Sequence, residues 1–281
     1  MRFVKLHSIG NDFVLVFEDE LGHTEPSALA IDLCRRHYSI GADGLLVLGR
    51  QSDGLFLRMF NPDGTEDFCG NGLRCATRLA LEQGWFHDET VVKHLGREVP
   101  VRVLPSGRIQ TTLGTASADS KDVPLARQPV VNETITVGGH HYTATALSTG
   151  STHLVLFVSE LPADDEFLQV SHALENHPWF PERTSVMWTK VEAEDVLRLR
   201  IWERGAGETL GCGTGSAAAA AAYLLQQGRG GRITVLNPGG EVTMSMAHWD
   251  QPITAEAEAH IVYRGVTSAK EESVIVASPP R

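Results

Sequence analysis

A chain of 281 residues, 42% hydrophobic and 21% charged, has the composition of a globular protein long enough for a large core and one or two domains. A formal net charge of -11 argues against nucleic acid or an anionic membrane as partner, because such binding draws on clustered Lys and Arg. No apolar run approaches the roughly 20 residues that span a bilayer. The opening Met-Arg-Phe-Val-Lys-Leu-His enters structured sequence at once, so the expected location is the cytoplasm. The four cysteines, Cys34, Cys69, Cys75 and Cys212, do not make a disulfide framework and read as reduced thiols.

In chain order, Val14–Phe17 and Gly44–Leu48 read as strands, with a helix from Ala28 to His37 between them. Phe56–Phe60 is a strand closed by the turn Asn61-Pro62-Asp63-Gly64. A helix at 72–83 precedes a hairpin of Val99–Leu104 and Arg108–Leu113 around Pro105-Ser106-Gly107. The loop-rich stretch 115–128 is the candidate linker. Strands follow at 141–147, 153–159, 195–202, 232–236 and 241–246, with helices near 166–175 and 215–227. Each half holds several strands and a long helix, which predicts a mixed α/β (α+β) protein of two similar domains.

An internal repeat carries the chemistry. Residues 69–84 begin Cys69-Gly70-Asn71-Gly72 and residues 212–228 begin Cys212-Gly213-Thr214-Gly215. Both continue into an Ala/Leu-rich helix and end on a glycine suited to a left-handed cap. Each also follows an acidic residue, Glu66 and Glu208. A helix start offers unpaired N–H groups and partial positive charge, which favours a thiolate there and can hold a carboxylate. Two such units face to face would put two thiols on opposite sides of an amino acid's Cα. One thiolate would take the α-proton while the other thiol returned one, and the amide dipoles would stabilise the enediolate.

Other readings are weaker. Cys34 and Cys75 fall within helices and read as small buried apolar groups. Gly211-Cys212-Gly213-Thr214-Gly215 lacks the Gly-Lys-[Ser/Thr] of a phosphate loop and is not a dinucleotide fingerprint. Neither C-x-x-C nor H-E-x-x-H occurs, and His140-His141 reads as surface, so no metal is expected. A thiol redox switch, a non-catalytic amino-acid binder, and a lyase or double-bond isomerase rank behind proton transfer, because none of them explains duplicated cysteine settings so directly.

Four blocks resemble the diaminopimelate epimerase family: His7–Phe13, Gly41-Ala42-Asp43-Gly44, Phe60–Gly64 with Cys69–Gly72, and Glu203–Thr209 with Gly211–Gly215. The resemblance runs in the same order from residue 3 to about 246. It implies a duplicated fold, diaminopimelate-epimerase-like, with two pseudo-symmetric domains, each a mixed β-sheet or barrel around a central helix. These would comprise residues 1–114 plus about 265–281, and 115–264. It also implies closure over substrate, no pyridoxal phosphate and no metal. By the same resemblance Cys69 is the base toward the L,L isomer and Cys212 returns the proton. Asn11, Gly70, Asn71, Gly72, Gly213 and Thr214 would hold the reacting amino-acid end. Asn61, Glu203 and Arg204 would hold the far end, Arg204 pairing with its carboxylate.

Two positions depart from the family. Ser151 (in Gly150-Ser151-Thr152-His153) and Ser185 (in Thr184-Ser185-Val186) stand where the family carries asparagines that bind the far amino-acid end. Serine is shorter and offers one hydroxyl. The substrate is therefore expected to be diaminopimelate, with another amino acid as the alternative. The expected partner is a small amino acid, and the sequence leaves assembly open between monomer and homodimer.

Overall fold

The computed structural model describes residues 1–127 and 129–267. Its first half runs as strands Arg2–Ser8, Asn11–Phe17, Gly44–Gln51, Gly54–Phe60, Glu89–His94, Arg97–Val103 and Ile109–Gly114, with helices α1 (Pro26–Leu33) and α2 (Gly70–Glu82). The second half has strands Glu133–Val137, His140–Ser148, Thr152–Val158, Ser185–Ala193, Val196–Glu203, Gly207–Thr209, Gly231–Asn237, Gly240–Met246, Ile253–Ala257 and His260–Val266, with helices α3 (Asp164–Glu175) and α4 (Gly213–Gln227).

The strand pairings repeat. From His260–Val266 through Arg2–Ser8 to Ile109–Gly114, neighbours pair antiparallel, antiparallel, parallel, antiparallel, parallel, antiparallel, antiparallel. From Glu133–Val137 to Ile253–Ala257 the same order recurs, with Gly207–Thr209 as a side branch. Ile109–Gly114 pairs antiparallel with Ile253–Ala257 and fuses the two sets into one 17-stranded sheet. The last strand, His260–Val266, returns to Arg2–Ser8. Of the C-terminal piece expected to join the first half, residues 268–281 lie outside the described residues.

Each set wraps one repeat helix. Helix α2 buries Leu73, Cys75, Ala76, Leu79 and Ala80 against strand residues such as Leu46, Leu57 and Val101. Helix α4 is buried almost all round: Ala217 to Ala222 are fully enclosed, and such short side chains let strands approach from every side. The opposite faces take α1 and α3. Leu45 and Val47 pack with Ala30 and Leu33 of α1, while Trp188 packs with Phe167 and Leu174 of α3. The run Gly44–Leu48 is thus buried on both faces, which is why it reads as continuously apolar.

The glycines closing the repeat both take left-handed conformations, Gly84 at φ 68° and Gly228 at φ 61°. Helix α1 is shorter than the expected 28–37. Pro26 starts it, and the returning chain ends it when the N–H groups of Gly41 and Ala42 donate to the carbonyls of Leu33 and Cys34. Cys34 is therefore a buried C-cap rather than a mid-helix residue. The stretch 115–127 is not a free tether, since Ala116 and Val123 are buried in core clusters. No helix among the described residues is long and apolar enough to cross a membrane.

Candidate active site

The turn joining the first two strands builds one wall. Ile9 and Gly10 both have positive φ, 48° and 79°, the signature of a tight two-residue hairpin turn. The Ile9 side chain enters the core around α4, although the two strands it joins belong to the set around α2. A Cβ on Gly211 would lie 2.1 Å from the Ile9 carbonyl oxygen, and one on Gly239 2.3 Å from it. The hairpin tip is thus clamped between two loops of the other half, and Asn11 is carried to the start of both repeat helices.

Cys69 is the N-cap of α2 and Cys212 the N-cap of α4, both in extended backbone conformation. Gly72 N–H donates to Cys69 Sγ and Gly215 N–H to Cys212 Sγ, each at 3.3 Å. The caps are thus chemically equivalent, with sulfur in the place usually taken by a Ser or Asp oxygen. Cys69 Sγ also lies 3.8 Å from Asn11 Oδ1, which accepts from Asn71 Nδ2 at 3.0 Å. Asn71 Nδ2 also reaches the Gly211 carbonyl at 3.5 Å, and a Cβ on Gly213 would lie 3.4 Å from Asn71 Oδ1. One amide therefore bridges the starts of both helices.

On the other side the Cys212 thiol lies between a hydroxyl and a carboxylate. The Thr214 hydroxyl is at 3.5 Å, and the Glu203 carboxylate is hydrogen-bonded to it. Thr214 Oγ1 is 3.3 Å from His153 Nε2, while His153 Nδ1 is 2.8 Å from the Ser151 carbonyl. A carbonyl only accepts, so Nδ1 carries the proton and Nε2 accepts from Thr214. Burial holds His153 neutral, its pKa lowered to about 4. A hydrogen-bonded path thus leads from Cys212 through Thr214 to a neutral imidazole.

The electrostatics differ from the sequence expectation. Helix N–H groups do favour the thiolates, but enclosure outweighs them. Desolvation pushes the Cys69 thiol up to about 11, against the lowering from Gly72 and Asn71 N–H groups. Cys212 is raised well above its ordinary value by burial and by the charge of Glu203. Burial also raises Glu203, against the Thr209 hydroxyl that donates to it at 2.5 Å. Burial therefore pushes both thiols toward the protonated form.

The remaining predicted residues lie as follows. Ser151 offers its carbonyl to His153. Ser185 Oγ accepts from the Arg204 backbone N–H at 3.0 Å, and the exposed Arg204 side chain donates to the Glu182 carbonyl at 3.0 Å. Asn61 donates to Thr65 Oγ1 at 3.1 Å. Glu203 belongs to the Cys212 side, whereas the resemblance placed it at the far end.

The acidic residues of the repeat have another purpose. Glu66 holds Arg58 through two contacts, at 2.9 and 2.7 Å, and Glu208 holds Arg200 likewise, at 2.8 and 3.2 Å. Both pairs span eight residues, so the duplication extends to an ion pair between each strand and the chain that returns beside it. Glu66→Gln is accordingly expected to cost about 0.5 kcal/mol of stability and to leave kcat at the parent value; a large loss of turnover in a folded variant would put Glu66 in the chemistry.

Sequence reasoning missed four supports. Asp43 Oδ2 accepts from Asn11 Nδ2 at 2.9 Å and so turns Asn11 Oδ1 toward Cys69. His94 is fully buried; its Nδ1 meets the Leu57 carbonyl at 3.1 Å, and Nε2 accepts the Cys69 backbone N–H at 3.1 Å. Thr149 Oγ1 donates to the Thr214 carbonyl at 2.9 Å. Arg74 is fully buried behind Asn71. Of these, Asp43 lay in the motif Gly41-Ala42-Asp43-Gly44 and Arg74 within the repeat 69–84, three residues after Asn71; His94 and Thr149 are read only from packing.

A family model described as diaminopimelate epimerase matches residues 3–118 and 145–262. Diaminopimelate epimerase from Moorella thermoacetica is 38% identical over 276 residues, covering 94% of this chain and 98% of its own length. The one from Pelotomaculum thermopropionicum is 37% identical over 253 residues, covering 86% and 90%. Solved structures share the fold at low identity. A Bacillus anthracis phenazine biosynthesis protein of the PhzF family gives a TM-score of 0.67 at 16% identity, over 94% of this chain and 98% of that one. A hydroxyproline epimerase from Agrobacterium vitis gives 0.65 at 14%, over 94% and 91%. With the family model spanning both cysteine blocks and relatives matched over nearly their full length, the chain belongs to the diaminopimelate epimerase family.

Proposed function

We propose that this protein inverts one α-carbon of diaminopimelate, interconverting the L,L and meso isomers, with Cys69 and Cys212 as the two proton-transferring groups. The observation that carries this reading is the meeting of two thiol-capped helix starts, tied together by the Asn71 amide between Asn11 and Gly211. Substrate carboxylate takes the unpaired N–H groups of the two helices, where the macrodipoles stabilise the charge that grows on it as the α-proton leaves. Cys69 as thiolate takes that proton from the L,L isomer. Cys212 as thiol donates its own to the opposite face, and the roles exchange in reverse.

The pair must shed one proton to work. In the meso direction, where Cys212 is the base, Glu203 is the acceptor beside its thiol, while His153, held neutral by burial, orients the Thr214 hydroxyl. As a carboxylate, Glu203 is the part-buried anion beside the Cys212 thiol, suited to the substrate's α-ammonium group. Because enclosure lifts the Cys69 thiol to about 11, its thiolate fraction grows about tenfold per pH unit below that value. The rate at limiting substrate is therefore expected to climb from pH 7 to pH 9; a profile flat across that range contradicts thiolate formation as a requirement.

A second reading is favoured by one observation. Ser185 Oγ accepts from the Arg204 backbone N–H, which leaves one hydroxyl proton where an asparagine would bring an amide donor and a carbonyl, so this position offers less to the far end of diaminopimelate. On that reading the same proton transfer serves another amino acid. Proton NMR in deuterated water separates the two, using L,L- and meso-diaminopimelate, glutamate, histidine, lysine and ornithine under reducing conditions. Exchange with inversion confined to diaminopimelate supports the first reading, and exchange on another amino acid alone replaces it. We assign the domains as the two sets of paired strands, and the enzyme to the cytoplasm, a reducing compartment suited to four free thiols.

A further inference from the structure

Arg74 is the most anomalous residue in the fold. It lies in the interior of α2, fully buried, and its hydrogen-bond partners among the described residues are neutral: Nε donates to Ser8 Oγ at 3.0 Å, and Nη2 to Asn71 Oδ1. The remaining nitrogen, Nη1, is buried with no partner. Burying a guanidinium without a carboxylate is costly, and an apolar residue of similar length would serve the core better. Burial pulls the group down to about 10, while interactions with Cys69 and Cys75 act the other way. An arginine kept there against this cost needs a partner that is negative only at some stage of the reaction.

The geometry indicates what the cation does. Asn71 stands three residues before Arg74, so their side chains share one helix face. Because a guanidinium only donates, its bond to Asn71 fixes Oδ1 toward Arg74 and leaves Nδ2 aimed at Asn11 and the Gly211 carbonyl. Ser8 locks the other end of the fork, passing its own proton to the Glu258 carbonyl at 2.7 Å.

We infer that Arg74 is a positioning residue for proton transfer: it sets the orientation of the Asn71 amide that bridges the two helix starts. This rests on the proposed two-thiol reading. Arg74 touches no substrate and acts through Asn71 and through the field at Cys69, whose thiol it lowers against the larger effect of burial. The unpartnered Nη1 fits this role, because full satisfaction by a carboxylate would cancel the charge.

The test uses Arg74→Met and Arg74→Lys in the full chain. Two readouts are followed: epimerisation of L,L-diaminopimelate, and the pH dependence of Cys69 alkylation by iodoacetamide, resolved by peptide mass spectrometry. Arg74→Met is expected to lower kcat about 30-fold with KM within about threefold, and to move the Cys69 alkylation midpoint up by about one pH unit. Arg74→Lys keeps the charge but not the fork, so its midpoint should stay near that of the parent while kcat still falls. A folded Arg74→Met with parental kcat and parental midpoint overturns the inference, as does Arg74→Lys with parental kcat if the methionine variant does not fold. Absence of exchange by the parent enzyme would reject the functional reading instead, and the alkylation midpoint would still report whether Arg74 acts on Cys69.

Discussion

Cys69→Ala and Cys212→Ala are each expected to lower kcat for inversion by about 10⁴-fold, the upper range for loss of a positioned acid or base. The two losses should differ in kind. With L,L substrate in deuterated water, Cys212→Ala retains the base Cys69. It should show slow α-deuteration without inversion, because only the starting face can be reprotonated. Cys69→Ala should show the mirror behaviour on the meso isomer, where Cys212 becomes the base. Removing a cap costs about 1 kcal/mol of stability, so circular dichroism should still show folded protein. Inversion persisting near the parental rate in either variant would end the two-thiol mechanism. Cys34→Ala makes a useful comparison, because that thiol is buried beside α1 and raised to about 11 by desolvation. It should retain parental kcat.

Gly211→Ala is expected to cost about 1–3 kcal/mol of stability through overpacking and to lower kcat about 100-fold through misplacement of the thiols. The added Cβ would stand 2.1 Å from the Ile9 carbonyl oxygen and 2.9 Å from Ile9 Cγ1. Backbone meets backbone there, so the hairpin tip or the loop before Cys212 must move. Either shift breaks the alignment that Asn71 maintains between Asn11 and the Gly211 carbonyl. Gly228→Ala provides the control. Nothing stands within 4 Å of its Cβ, but its φ of 61° is strained for alanine. It should lose about 1–2 kcal/mol of stability and leave kcat unchanged. Differential scanning calorimetry with steady-state rates separates the two; equal kcat in both variants would remove the clamp on Ile9 from the catalytic account.

Local order supplied much of the fold to a reader of the sequence. The hairpin 97–114, the Asn61–Gly64 turn and the helices at 70–82 and 213–227 follow from periodicity, turn residues and glycine stops within short windows. The strands not anticipated, such as Arg2–Ser8, Ser185–Ala193 and His260–Val266, earn their place from partners distant in sequence. Arg2–Ser8 and His260–Val266 sit at opposite ends of the chain, so neither segment could signal the pairing alone. The exposed pattern of His260–Val266 further hides it, because little of that strand faces a core.

By itself the sequence determined the chemistry on offer: two cysteines in duplicated helix starts, because capping and helix propensity are local properties written in consecutive residues. It also carried the family, whose motifs are short and ordered. Only the tertiary structure decided in which direction those thiols are pushed. Helix ends favour the anion in isolation, but desolvation depends on everything packed around the site, and it wins here. Tertiary structure likewise decided which neighbours serve the site. Glu203 came to Cys212, His94 to the Cys69 amide and Arg74 to Asn71 through contacts that no spacing in the chain announces beyond the last. The duplicated acids show the converse, since a repeat that looked chemical turned into two ion pairs once Arg58 and Arg200 were in place.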